Sequence, residues 1–228
     1  MKRGTILMLA SLFVAPTLLA GVFEVPVKLP VKARLELSKG TPIALAPFVI
    51  SASAEDRTDR ASRVDVLGEF ARFAQKEIEK ETDLKVILAM EDRLPTTDLR
   101  ELVANRDFWK SVADRTGADY VVSGSIDFDI EDKAGYRTEE YVSPVDGRTY
   151  YRQVLIESTG FVFDVVVFVF DGETGEKLVE ENYRDFKEYD ERNYDELVGL
   201  FENLRSMEKK LLGIFTSQET TSTRYLFE

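Results

Sequence analysis

The chain has 228 residues, a formal net charge of −12, and neither histidine nor cysteine. The absence of histidine excludes Ser-His-Asp catalysis and histidine-ligated zinc or haem. The acidic charge argues against nucleic acids and anionic membrane surfaces, because both attract basic patches. We therefore expect no cofactor and no nucleic-acid partner. Any catalysis would depend on carboxylates, Lys, Tyr, Ser or Thr.

The first twenty residues have the three parts of a cleavable secretory signal peptide. Lys2 and Arg3 form a positive start, residues 6–15 are apolar, and Ala20 is the small residue before the predicted cut. The apolar stretch is shorter than the about 20 residues that a transmembrane helix needs. We expect residues 1–20 to be removed by cleavage near Ala20, which makes the remaining protein periplasmic or secreted.

The residue after the predicted cut bears on membrane attachment. Bacterial lipoproteins carry their lipid on a cysteine at this position, which is Gly21 here, so we expect no lipid anchor. No later stretch is long and apolar enough for a membrane-spanning helix, so no transmembrane span is expected in the mature chain.

Residues 21–40 predict an extended N-terminal arm or edge strand. Apolar and polar residues alternate from Phe23 to Leu37, which is typical of an extended segment with one buried face. Pro26 and Pro30 lack an amide hydrogen, so the segment belongs at an edge or on the surface.

Residues 41–215 predict an α/β fold, a mixed sheet packed with helices in a single domain. The predicted elements are a buried strand at 42–50, a helix at 62–82, a strand at 84–90, short helices at 97–104 and 106–116, a strand at 120–130, an antiparallel pair at 154–170 and 176–186, and a helix at 194–215. Strand-helix-strand order requires a parallel βαβ core, to which the later strands add an antiparallel meander. Residues 216–228 are predicted to be a loose C-terminal tail.

Residues 131–152 interrupt this pattern as an inserted hairpin or long loop. The segment is polar, contains a turn signal around Asp146-Gly147, and carries Tyr136, Tyr141, Tyr150 and Tyr151. Exposed tyrosines are favoured at protein interfaces, which makes these four a candidate contact surface. The alternative is that they cover the domain's own sheet.

Acidic residues of the third predicted strand are a weak candidate for a metal site. Asp127 and Asp129 share one strand face about 7 Å apart, and clustered carboxylates suit calcium. The spacing matches no calcium-binding loop, so a solvated strand face is the simpler interpretation. Asp164 lies among valines of a later strand, where a structural ion pair with Lys or Arg is expected.

Several motifs together resemble the CsgG-like and TolB amino-terminal-like domains of the bacterial cell envelope. They are Ala44–Phe48 (ALAPF), Met90–Leu94 (MEDRL), Gly117–Ser125 (GADYVVSGS) and Asp171–Glu176 (DGETGE). The resemblance covers about Pro42 to Tyr183. It implies an α/β domain whose relatives bind other proteins or assemble in the envelope and are generally not enzymes.

The chain also departs from these families. It lacks the lipoprotein cysteine of the curli-secretion channel proteins and the propeller of TolB. Its candidate hairpin carries charges such as Arg137, Glu139 and Glu140, which are unsuited to lipid contact, so no membrane pore is expected.

These observations predict an exported, non-enzymatic cell-envelope protein that acts in protein binding or assembly. Its partners would be other envelope proteins or further copies of itself. Two alternatives stay open at this level. One is a carboxylate-based hydrolase of envelope glycans, which needs two suitably spaced acids. The other is an envelope protein that binds calcium or a small ligand.

Overall fold

The computed structural model describes residues 22–50 and 61–227, which belong to two compact units. Residues 31–218 form an α/β unit, and the described residues outside this range form a ribbon. The predicted signal peptide at 1–20 lies outside the described residues, so export and cleavage stay predictions. No helix in the described ranges is long and apolar enough to cross a membrane.

The ribbon consists of two paired strands, β1 (Val22–Val31) and β7 (Gln218–Phe227). An ion pair of 3.1 Å joins Lys28 Nζ to Glu219 Oε2 on the two strands. The C-terminal residues were expected to be a loose tail, and β7 is therefore a correction. Its β-branched threonines suit a strand, and its partner is β1, near the other end of the sequence, which local patterning could not reveal.

The α/β unit confirms the predicted fold class. Its elements are β2 (Pro42–Ile50), a 3₁₀ turn (Ala61–Arg63), α1 (Val66–Glu81), β3 (Lys85–Leu88), α2 (Leu99–Ala104), α3 (Arg106–Thr116), β4 (Tyr120–Val142), β5 (Thr149–Asp171), β6 (Lys177–Tyr189) and α4 (Glu196–Phe215). The sheet order is β3-β2-β4-β5-β6. β2 runs parallel to β3 and β4, whereas β4, β5 and β6 form the antiparallel meander.

Helices cover the two faces of this sheet with separate hydrophobic clusters. On one face, Phe161 and Phe163 of β5 belong to a cluster with residues of α1 and α4. On the other face, Phe170 stacks on Trp109 of α3 at a ring-centroid distance of 4.2 Å. Because successive strand residues point to opposite faces, β5 contributes to both clusters.

Strand β2 has the predicted bounds, Pro42–Ile50, with Pro47 inside it at a shift of register between Leu45 and Phe48. A proline is tolerated at such a bulge because no ladder hydrogen bond is required of it there. The helix predicted at 62–82 begins later, at Val66, because Asp65 caps it: the Asp65 carboxylate accepts the Gly68 N–H at 3.0 Å. Helix α3 has the predicted bounds, Arg106–Thr116, and ends at Gly117, whose φ of 68° is the left-handed conformation of a helix C-cap.

Candidate functional site

Strands β4 and β5 extend well beyond the helix-covered part of the sheet. β2 pairs with β4 as far as Ile126, and β6 pairs with β5 from Thr159 onward. From Glu131 to Ser158, which we call the arm, every residue is exposed or half-buried. The ladder between the two strands continues without a register shift to the pair Val142 and Thr149. The arm is therefore a two-stranded ribbon that grows out of the domain's own sheet.

The turn at the tip of the arm is held by local hydrogen bonds. Ser143 N–H donates to the Arg148 carbonyl at 2.8 Å, and Gly147 N–H donates to the Ser143 carbonyl at 2.9 Å. Gly147 has a φ of 68°, a conformation that favours glycine. The Tyr150 hydroxyl donates to Asp146 Oδ2 at 2.6 Å. This bond lowers the pKa of Asp146 and raises the pKa of Tyr150.

One face of the arm, which we call the bonded face, is occupied by contacts between its own side chains. The rings of Tyr141 and Tyr150 stack at a centroid distance of 5.9 Å, and the Arg152 guanidinium lies 5.4 Å from the centre of the Tyr141 ring. Glu139 accepts hydrogen bonds from Arg137 at 2.7 Å and from Arg152 at 3.4 Å. The hydrogen bond from Arg137 makes the largest contribution to lowering the pKa of Glu139, and the bond from Arg152 lowers it further. The bonded face is thus largely satisfied within the arm.

The opposite face, which we call the open face, presents apolar side chains to solvent. Tyr136 and Leu155 are cross-strand neighbours and are 74% and 52% exposed. Tyr151 is 71% exposed and Val142, near the tip, is 63% exposed. Within the described ranges, the side chains of Tyr136 and Tyr151 make neither a hydrogen bond nor a ring contact. This face continues the sheet face that α1 and α4 cover further along the same strands.

The four tyrosines singled out in the sequence all lie on the arm, but they divide between its faces. Tyr141 and Tyr150 belong to the bonded face, and Tyr136 and Tyr151 to the open face. Sequence reasoning missed Leu155 and Val142 as members of the open face. The available signal was the period-two alternation that continues from Tyr151 through Gln153 to Leu155.

The two aspartates considered as metal ligands lie at the base of this region. Asp127 and Asp129 are half-buried on β4, and Asp129 Oδ1 accepts the Ile130 N–H at 2.8 Å. Among the described residues, no group of three or more acidic side chains is arranged to hold a metal ion. Asp164 lies opposite Asp127 in the ladder, and the expected ion pair is confirmed: Asp164 Oδ2 lies 3.7 Å from Arg184 Nε. The Asp164 side chain is more exposed than its valine-rich surroundings suggested.

A second acidic surface lies beside the turn that joins β5 to β6. Asp114, Asp119, Asp171 and Glu173 line a shallow depression. Asp171 Oδ1 accepts hydrogen bonds from the Thr174 N–H and hydroxyl, both at 2.8 Å. The Asp119 carbonyl accepts the Gly172 N–H at 2.8 Å. These contacts stabilise the turn, which gives Asp171, the last residue of β5, a structural role.

Comparison with known proteins assigns no family. No protein-family profile and no curated protein matches the chain. Solved structures similar to the chain include a PelC dodecamer from Paraburkholderia phytofirmans, at 14% identity over 84% of this chain and 99% of that chain with a TM-score of 0.43. Lipoprotein GNA1162 from Neisseria meningitidis has 15% identity over 75% of this chain and 98% of that chain, with a TM-score of 0.38.

The LpoB C-terminal domain from Salmonella enterica is similar at 11% identity over 65% of this chain and 84% of that chain, with a TM-score of 0.36. None of these three proteins is a CsgG or TolB structure, so the family resemblance of the sequence stays a hypothesis. Likenesses of this degree carry no functional assignment. The function must therefore be argued from the chain's own residues.

Proposed function

We propose that the protein is an exported, non-enzymatic component of the cell envelope that binds other proteins, with the open face of the arm as its contact surface. The observation that carries this proposal is the exposed apolar row formed by Tyr136, Tyr151 and Leu155. The signal-peptide pattern at 1–20 supports export, and the ordered motifs support a CsgG-like or TolB amino-terminal-like domain.

The chemistry of the open face suits protein recognition. Its members alternate with uncharged Thr138 and Gln153, and Glu140 is the charged neighbour opposite Tyr151. Tyrosine contributes a large contact area at a low cost in side-chain entropy, and aromatic residues are enriched at the centres of interfaces. The charges of Arg137, Glu139 and Arg152 on the bonded face are paired with one another, so the partner needs to accommodate only the Glu140 carboxylate beside the aromatic row.

The test is quantitative capture by the purified exported protein. We expect the double variant Tyr136→Ser, Tyr151→Ser to lose at least about tenfold in affinity for the envelope protein that the parent captures, since interface aromatics are typical hot spots. Tyr225→Ser is the matched control, because Tyr225 is a 56% exposed tyrosine outside the arm. Capture that is unchanged in the double variant would contradict the proposal.

The same preparation tests the hydrolase and calcium alternatives. Turnover of an envelope glycan by the purified protein would replace the binding proposal with the carboxylate-based hydrolase. Calorimetric titration with calcium, read against a chelator control and the variant Asp127→Asn, Asp129→Asn, tests the ion-binding alternative. We expect neither turnover nor heat of binding.

A further inference from the structure

The outer edge of β5 along the arm has no strand against it in the described part of the chain. β6 leaves β5 at the pair Thr159 and Tyr189, and side-chain contacts of Ser158 with Glu188 and of Glu157 with Arg192 mark this limit. The backbone from Thr149 to Ile156 therefore forms an open sheet edge. Such an edge presents a row of amide and carbonyl groups that can pair with another strand.

The turn determines which backbone groups face this edge. Ser143 and Arg148 are hydrogen-bonded across the turn, so their amide and carbonyl groups face each other. Hydrogen-bonded and non-hydrogen-bonded pairs alternate along an antiparallel ladder, and this ladder has no register shift. The outward-facing amide and carbonyl groups of the arm in β5 are therefore those of Thr149, Tyr151, Gln153 and Leu155.

The two edges of the arm differ in charge. In β4, six of the twelve residues from Glu131 to Val142 are charged, whereas Arg152 and Glu157 are the two charged residues among the ten from Thr149 to Ser158. Proteins protect exposed edges from pairing with charged residues, prolines and bulges. The β4 edge has such protection through its charges. The β5 edge lacks it, since this stretch contains no proline and has a regular register.

The sequence of the β5 edge is self-complementary about Gln153. In an antiparallel pairing of two copies centred on this residue, Gln153 lies opposite Gln153 of the second copy, and Tyr151 lies opposite Leu155 twice. All these side chains belong to the open face, so the register matches apolar with apolar and amide with amide. Arg152 lies opposite Val154, and its charge is already paired with Glu139 on its own arm.

We propose that two copies of the chain pair through the β5 edges of their arms in this register. The result is a symmetric dimer with a continuous four-stranded arm sheet, in which each β5 edge is covered by its symmetry mate. The open faces of both arms merge into one surface, and Tyr136 and Leu155 of one copy lie in a row with Tyr151 of the other. This inference rests on the proposed function in one respect, namely that the merged open face is the binding surface.

Proline substitutions at one cross-strand pair of the arm test which edge forms the dimer. Gln153 and Thr138 are opposite each other, and both direct their amide outward, so a proline at either position preserves the arm's own ladder. Gln153→Pro removes both hydrogen bonds at the dimer axis and should raise the dimer dissociation constant by about tenfold or more in sedimentation analysis. Thr138→Pro, at the β4 edge, should leave the dimer unchanged.

A cysteine at the symmetry axis tests the register. The chain contains no cysteine, so Gln153→Cys introduces a single thiol. In a hydrogen-bonded antiparallel pair the two Cα atoms are about 5.5 Å apart, which is within the range for a disulfide. Mild oxidation should convert Gln153→Cys to a covalent dimer, and Thr138→Cys should stay a monomer on denaturing gels.

The outcomes separate this inference from the proposed function. The dimer is overturned if the parent protein stays monomeric at about 100 μM, because a dissociation constant above this concentration is too weak for stable recognition. It is also overturned if the Gln153→Pro variant dimerises like the parent. Capture of an envelope partner that still depends on Tyr136 and Tyr151 would in that case leave the proposed function intact. Loss of the dimer in Thr138→Pro alone would assign pairing to the other edge and also overturn the inference.

Discussion

The two halves of the β4–β5 ladder have the same backbone structure and opposite environments. Phe161 is fully buried and Leu155 is 52% exposed, although the two residues lie on the same strand and the same sheet face. Above Phe161 lies α4, whose Gly199 allows the ring to approach the helix backbone. Whether the apolar residues of a strand form a core or a surface therefore depends on the helices that pack over the strand, and not on the composition of the strand alone.

The largest effect expected from this comparison concerns Phe161→Ala. The Phe161 ring contacts the rings of Phe128, Tyr189 and Tyr194, so its removal leaves a cavity and should cost about 3–5 kcal/mol in the free energy of unfolding. Leu155→Ala on the arm should change it by less than about 0.5 kcal/mol. Urea denaturation followed by the fluorescence of the single tryptophan, Trp109, measures both. A comparable loss for Leu155→Ala would show that the arm packs against other residues.

Two glycines of α4 provide an intermediate effect with a matched control. A Cβ on Gly199 would lie 2.2 Å from the Phe161 ring, so Gly199→Ala should cost about 1–3 kcal/mol by forcing the helix from the sheet. A Cβ on Gly213 finds its nearest contact at 3.8 Å, so Gly213→Ala should stabilise the helix by about 0.5–1 kcal/mol. Thermal unfolding of both variants shows whether each substitution stabilises or destabilises the protein. A stabilising Gly199→Ala would mean that α4 does not lie against Phe161.

The smallest expected effect is a local change in the stability of the turn at the tip of the arm as the pH falls. The hydrogen bond from Tyr150, followed by that from the Arg148 N–H, lowers the pKa of Asp146. A lowered pKa means that the contribution of the carboxylate to the turn is present above the ordinary aspartate pKa and is lost as the pH falls through the lowered value. Amide exchange at Arg148, relative to its intrinsic rate, should therefore increase in acid.

Tyr150→Phe is the control for this acid effect. It removes the hydroxyl that donates to Asp146 and retains the ring that stacks on Tyr141. The variant should shift the transition in Arg148 exchange to higher pH, because the carboxylate loses its first stabilising partner. An unchanged transition would assign the acid sensitivity of the turn to the backbone hydrogen bonds alone.

Much of the α/β unit could be predicted because its signals are local. The apolar run of β2, the helical spacing of α4 and the turn at Asp171–Gly175 each specify an element without reference to the rest of the chain. The helix stop at Gly117 follows from the same local chemistry. Strand β7 could not be predicted in this way, because its ladder partner lies at the other end of the chain.

The candidate site shows the same division. The sequence by itself determined that a tyrosine-rich segment surrounds a turn at Asp146-Gly147, because residue type and turn chemistry are local properties. Only the tertiary structure decided that Tyr141 and Tyr150 pair with each other while Tyr136, Tyr151 and Leu155 face solvent. The face of a strand residue depends on the register with its partner strand, and its burial depends on where α1 and α4 end above the sheet.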